Sequence, residues 1–234
     1  MPHEQPFHFL RGRPPHRTSA GFSLVELLVV IGIIAILLTV GAIGMGGITN
    51  GKNVNSAVTT TEALFAEARA IATGKATRAC VLVDVNDSKD ATNYLKRVLV
   101  AYEDIDPTTN QPVKDKWVLS SRGVTLPEQV FFSKTYSKGG SDGQQLSDIT
   151  LSGDNVKTQY VGKYLGYIFN SEGICATPGA TFVVGTGVRS GGNEPRTIGS
   201  AKRDFGGFIV WRNGTTSLLR SPDQAGIPST VTNF

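Results

Sequence analysis

Apolar and polar positions along the chain fall into three regimes. No residue from Leu27 to Gly51 is charged, and Leu27 to Val40 is almost wholly aliphatic. About 20 apolar residues suffice for a helix to cross a bilayer. In lipid such a segment must be helical, because its backbone groups find no other partners there. The β-branched Val29, Val30, Ile31, Ile33 and Ile34 would otherwise weaken a helix. The pattern therefore predicts a transmembrane helix over 22–50. Gly41, Gly44, Gly46, Gly47 and Gly51 each lower helix propensity by roughly 1 kcal/mol, so a kink or melted stretch is expected near 44–53. In the second regime Val54, Ala57, Val58, Thr61, Leu64, Phe65, Ala68, Ile71 and Ala72 recur at helical spacing, with Glu62, Glu67 and Arg69 elsewhere on the wheel. This is an amphipathic helix over 51–77, ended by Gly74, whose apolar face packs on a globular domain.

The third regime, residues 78–234, alternates or runs apolar in short β-type segments: 79–85, 95–102, 117–119, 129–132, 164–169, 181–184 and 208–211. Gly, Pro, Asn and Asp clusters separate them. Asn213-Gly214 between two such runs predicts a two-residue hairpin. The stretches 138–145 and 185–195 read as exposed, mobile loops. Gly185-Thr186-Gly187 lacks the rest of any phosphate-binding fingerprint.

Charge and chemistry narrow the possibilities. The formal charge is +4, and removing residues 1–21, with three arginines and one glutamate, leaves +2. No basic partner surface follows from that total. His3, His8 and His16 all precede Gly21, and no histidine follows. A chain that loses its leader thus has no imidazole, which excludes Ser-His-Asp machinery, histidine general bases and histidine-liganded metals. Carboxylate-only catalysis has no spacing to support it, so the expectation is no enzyme, no metal and no cofactor. Cys80 and Cys175 permit one disulfide if the domain is extracytoplasmic. They read more readily as two buried thiols acting as small apolar residues.

The start of the apolar run poses a problem. Arg11, Arg13 and Arg17 precede it, so the positive-inside rule places the N-terminus in the cytoplasm. A secretory signal carries its small-residue cleavage site after the apolar region; here Ser19-Ala20-Gly21 comes before it. Glu26 sits near the beginning of the apolar run, where an ionised carboxylate costs roughly 2.5–3.5 kcal/mol even on a lenient scale.

Gly21 followed by Phe22-Ser23-Leu24-Val25-Glu26-Leu27 resembles the processing site of type IV prepilins and type II secretion pseudopilins. The resemblance implies a cleaved leader, 1–21, cut after Gly21 by a prepilin peptidase that N-methylates Phe22. It implies a retained helix, 22–50, that becomes a filament spine. Glu26 would pair with the terminal amine of a neighbouring subunit. Both charges are poorly hydrated there, which strengthens their attraction. The implied fold is α+β and pilin-like: a long N-terminal helix packed on a C-terminal antiparallel β-sheet domain. The implied location is the bacterial inner membrane, single-pass, with the β domain periplasmic or extracellular. The implied partners are other pilin subunits, the peptidase, an inner-membrane assembly platform and membrane lipid.

A looser resemblance extends further. Ala63 to Ala72 followed by Val81 to Val85, then Phe169-Asn170-Ser171-Glu172-Gly173 and the last hairpin, are similar to the GspH/FimT minor pseudopilins. The stretch 86–160 is longer than that group implies. Some FimT-type pilins capture DNA, and Arg196, Lys202, Arg203, Arg212 and Arg220 offer phosphate contacts. The Gly-Arg-x-Arg turn associated with that activity is replaced here by Asn213-Gly214-Thr215-Thr216, which argues against DNA. A structural pseudopilus or pilus subunit is the main expectation, and a DNA-binding minor pilin the alternative.

Overall fold

A computed structural model describes the backbone of residues 24–153, 155–197 and 204–231, and the side chains of these apart from 35–52. The chain forms two compact units, Met1–Gly44 and Met45–Phe234. The expected leader lies outside the described residues. One helix, α1 (Leu24–Lys75), is assigned without interruption, including through 44–53. Glycine weakens a helix by entropy but keeps its N–H donor, unlike proline, so the hydrogen-bond ladder continues. Gly74 does not end the helix either. Ala76 takes the left-handed conformation (φ 51°), and the Thr77 N–H returns to the Ala72 carbonyl at 3.2 Å, closing a Schellman-type cap. Among the described residues no helix is long and apolar enough to cross a membrane; the expected span over 22–50 extends beyond the side chains described.

In the second unit, the remainder of α1 packs on two antiparallel sheets. Strands β1 (Ala79–Asp84), β2 (Arg97–Ile105), β3 (Pro112–Leu119), β4 (Val124–Thr125), β6 (Ser147–Leu151) and β7 (Gly162–Phe169) form the first, in order β3-β2-β1-β7-β6 with β4 also on β2. Strands β5 (Val130–Phe132), β8 (Ala180–Val188), β10 (Phe205–Val210) and β11 (Thr216–Leu218) form the second, in order β11-β10-β8-β5, with β9 (Arg196–Thr197) on the end of β8. The fold is α+β with antiparallel sheets, as the resemblance implies.

The helical periodicity picks out the buried face well. Val54, Ala57, Val58, Thr61, Leu64, Phe65, Ala68 and Ala72 are all buried, and all but Thr61 share one cluster with Val81, Val100 and Tyr167 of the first sheet and Phe132, Phe182 and Phe208 of the second. Phe65 is the junction. Its ring lies 4.9 Å from Tyr167 and 4.9 Å from Phe208, each edge-on. Thr61 is tolerated there because its hydroxyl donates to the Ala57 carbonyl at 2.7 Å. Gly206 of β10 faces the helix, and a β-carbon there would approach Val54 to 2.9 Å.

The long stretch 86–160 has a structural purpose. Its β3, β6 and the 3-10 turn Thr158–Tyr160 help cover the outer face of the first sheet, burying Trp117, Leu151, Val156 and Tyr160 with Cys80, Leu82, Leu99 and Ala101. That second core is why all six residues of β1 are buried. The outer face of the second sheet is covered by Ile227 and Val231 packed near Val183. The expected exposed loop 185–195 is overturned in its first part: β8 runs to Val188, and Gly185, Thr186 and Gly187 are buried.

Candidate assembly helix and the surfaces beside it

Gly21 and Phe22 lie outside the described residues. Glu26 occupies the first turn of α1, where a carboxylate is favoured by the unpaired N–H groups and positive end of the helix dipole. It is exposed, as is every residue from 24 to 34. Nine of those are large and apolar, with exposures from 78% at Leu24 to 45% at Val30. Five of them, Leu27 to Ile31, are consecutive, which exceeds one 3.6-residue turn. The apolar surface therefore runs around the helix instead of along one stripe, as expected for a helix buried on all sides by lipid or other helices. One acid stands at the head of that surface.

The cysteines are separate. Cys80 and Cys175 are free and buried. Cys80 points into the outer core of the first sheet, whereas Cys175 belongs to the inner core shared with α1. They sit on opposite faces of the sheet, so the disulfide contemplated from sequence does not form. Burial pushes both thiols up from their ordinary value, which keeps them unreactive. Thiol labelling of the folded protein should therefore give no adduct, and of the denatured, non-reduced protein two per chain. Loss of both adducts without reductant would show a bridge.

The arginines considered for phosphate contacts are dispersed. Arg203 lies outside the described residues. Arg196 is exposed on β9 opposite Val188, and Arg212 is exposed in the turn after β10. Val210 pairs with Ala180, so these two positions mark opposite ends of β8, roughly 25 Å apart by strand rise. Arg220 is exposed beyond β11.

The Asn213-Gly214 hairpin forms, but not with a two-residue turn. The Trp211 N–H donates to the Thr215 carbonyl at 2.9 Å, enclosing three residues. Gly214 alone takes positive φ, 74°, the arrangement of a type I turn closed by a left-handed glycine. Asn213 keeps its local role by accepting from the Thr215 N–H at 3.1 Å and hydroxyl at 2.8 Å. This turn and the Thr59, Ala63, Ala66 and Ala70 side of α1 bound a groove of about 690 Å3.

The residues missed by sequence reasoning are paired charges, some of them buried. Asp84 pairs with Arg97, with 3% and 12% of their side chains exposed. Glu103, 4% exposed, pairs with Arg78, which also reaches Asp115 at 2.9 Å. The Glu103 hydrogen bond pushes the Arg78 guanidinium up from its ordinary value. At the far end of β8, Lys134 donates to Glu194 at 2.7 Å and to the Tyr94 hydroxyl at 2.9 Å. Burial disfavours both charges, yet these bonds hold Glu194 below the usual carboxylate range and Lys134 above the usual ammonium value. Partners so distant in sequence leave no local signal.

Residues 16–42 match a family model described as the prokaryotic N-terminal methylation motif. The chain carries a prokaryotic N-terminal methylation motif. The match includes Gly21, Phe22 and Glu26 and stops before the β domain. Among solved structures, the minor pseudopilin EpsH from the Type 2 Secretion System of Vibrio cholerae is similar at 13% identity over 73% of this chain and 96% of that one, with a TM-score of 0.39. That similarity is too low to carry EpsH's properties across. No curated protein matches the chain.

Proposed function

We propose that this protein is a structural, minor-type subunit of a type II secretion pseudopilus or related type IV filament. A prepilin peptidase cuts it after Gly21 and methylates Phe22, and it assembles through its N-terminal helix from the inner membrane. The observation that carries this reading is a methylation signal leading into a helix that is apolar on all faces, with Glu26 in its first turn. Such a helix requires lipid before assembly and neighbouring helices after it. In the assembled filament Glu26 pairs with the amine that cleavage creates on a neighbour. Breaking a desolvated ion pair of this kind typically costs 3–5 kcal/mol. The wide spacing of Arg196 and Arg212 gives DNA capture no comparable support.

Coexpression with a prepilin peptidase tests the reading. The chain should lose 21 residues and begin at methylated Phe22, and replacing Gly21 with a bulky residue should block this. Intact mass decides it; an unprocessed wild-type chain would sink the proposal. Glu26→Gln should still insert into membranes but fall out of sheared filaments, and undiminished incorporation would remove the ion pair from the mechanism.

A further inference from the structure

Strand β11 is an unguarded sheet edge. The Trp211 N–H donates to the Thr215 carbonyl and the Leu219 N–H to the Gly207 carbonyl, with Ser217 opposite Ile209 between them. Since an antiparallel ladder alternates, Thr216 and Leu218 direct their N–H and C=O groups away from β10. No strand pairs with β11 on that side among the described residues. Natural edges are blunted by charge, proline, a bulge or cover. β3 carries Pro112, Lys114, Lys116 and a register shift opposite Glu103 and Ile105. β5 is covered where its Phe132 N–H donates to the Leu95 carbonyl at 2.8 Å. Thr216-Ser217-Leu218 has none of these devices, and Leu218 is 58% exposed.

The free edge opens on the groove of about 690 Å3 beside α1, which Thr216 helps to line. Thr216 and Leu218 lie opposite Val210 and Phe208, both in the core shared with α1, and the Thr216 hydroxyl donates to Glu62. Their side chains therefore turn to the helix side, as would those of the residues facing them on an added antiparallel strand. There α1 presents Thr59, Ala63, Ala66, Ala70 and Thr73, all small and exposed.

We propose that this edge and groove take up an extended segment of a partner polypeptide with small, uncharged side chains facing α1. It adds antiparallel to β11, as every other strand of this sheet pairs. From Thr59 to Thr73 the helix rises about 21 Å, room for about six extended residues. The β11 of a second copy has three residues next to its hairpin turn, too few to fill that length. A docked helix would occupy the groove but leave the Thr216 and Leu218 backbone groups unmet. In strand addition those main-chain bonds supply affinity, and alternate side chains select the sequence.

The test uses the full chain in lipid nanodiscs and 19F NMR of the peptide trifluoroacetyl-QAQAQA-amide, with empty nanodiscs as blank. The peptide should bind saturably with Kd on the order of 1 mM, after the cost of ordering it. Its alanines face α1, so their N–H groups are the ones that meet β11. N-methylation of the alanines should weaken binding about tenfold, whereas N-methylation of the glutamines, whose N–H groups face solvent, should change it by less than about threefold. Leu218→Pro removes an outward donor at a position where an edge strand tolerates proline, and should abolish binding. Ala66→Gln narrows the groove from its exposed side and should weaken binding about fivefold with an unchanged melting temperature. Equal weakening by the two methylations, undiminished binding to Ala66→Gln or to folded Leu218→Pro, or no saturable binding would overturn the proposal. Dimerisation of the chain that Ala66→Gln or Leu218→Pro abolishes would put a second copy on the edge and overturn it too. The two methylated peptides decide the matter on the unaltered chain should Leu218→Pro fail to fold.

Discussion

Phe65→Ala is expected to destabilise the β domain by about 3–5 kcal/mol, the usual cost of truncating a buried aromatic. Several features push this site towards the upper end. Phe65 is fully buried, and its ring meets Tyr167, Phe169, Phe182 and Phe208 at centroid distances of 4.9–6.2 Å. Those four residues come from β7, β8 and β10, so the ring joins α1 to both sheets at once. Strands held in two hydrogen-bonded sheets cannot collapse into the void as a loose loop would, and the cavity persists. Since a domain of this kind is stable by only about 5–15 kcal/mol, the loss should be visible as a large drop in the urea midpoint followed by tryptophan fluorescence. Ala66→Ser on the exposed side of the same helix should change stability by less than about 0.5 kcal/mol. A Phe65→Ala loss below about 1 kcal/mol would mean that α1 does not form a common core with the sheets.

Asp84→Ala is expected to cost a similar amount, about 3–5 kcal/mol, for a different reason. The side chain removed is small, but it leaves Arg97 behind with 12% of its side chain exposed. The remaining partners of that guanidinium are the Tyr164 hydroxyl at 3.3 Å and the Tyr160 ring, 5.2 Å from its centre. Neither neutralises it. Its Nε already lacks a hydrogen-bond partner among the described residues, so no spare acceptor is waiting. The penalty therefore lies in the orphaned cation more than in the lost attraction. A double replacement, Asp84→Leu with Arg97→Met, removes both charges while filling the volume, and should recover most of the loss. Denaturant midpoints of the single and double variants measure this directly. A double variant as unstable as Asp84→Ala would show that the attraction, more than the orphaned charge, holds the outer core, and additive losses would show that the two residues are not coupled.

Some of this was legible in the sequence because it depends on local order. Phe22 to Leu27 shows its glutamate against an apolar run without any fold being known, and the family model matches the same stretch. The face of α1 from Val54 to Ala72 was legible because a helix sets side-chain direction by spacing alone. The apolar run 79–85 marked a strand, though not that both of its faces are covered. The hairpin was legible as a turn at Asn213-Gly214, but its geometry was not. The choice between two- and three-residue closure depends on register with β8 and β10, and on Gly214 fitting against Gly173 and Arg69.

The rest was decided only by tertiary structure, because it concerns which distant segments meet. Cysteine count permits a disulfide; only the pleat, placing Cys80 and Cys175 in cores on opposite faces, rules it out. Composition makes Asp84, Arg97, Arg78 and Glu103 look like ordinary solvated charges. Asp84 and Glu103 are buried, and Arg97 nearly so, because the segment 86–160 folds back over the outer face of the first sheet, and nothing within a few residues of any of them announces that. Gly185-Thr186-Gly187 carries no motif, yet β8 takes it through the second sheet and delivers Arg189 to Tyr94 and Asp90. Periodicity records how one segment meets its surroundings, so it specified the elements and the N-terminal signal. Pairing between segments 13 to 100 residues apart leaves no period to read, so the charge network belongs to the fold.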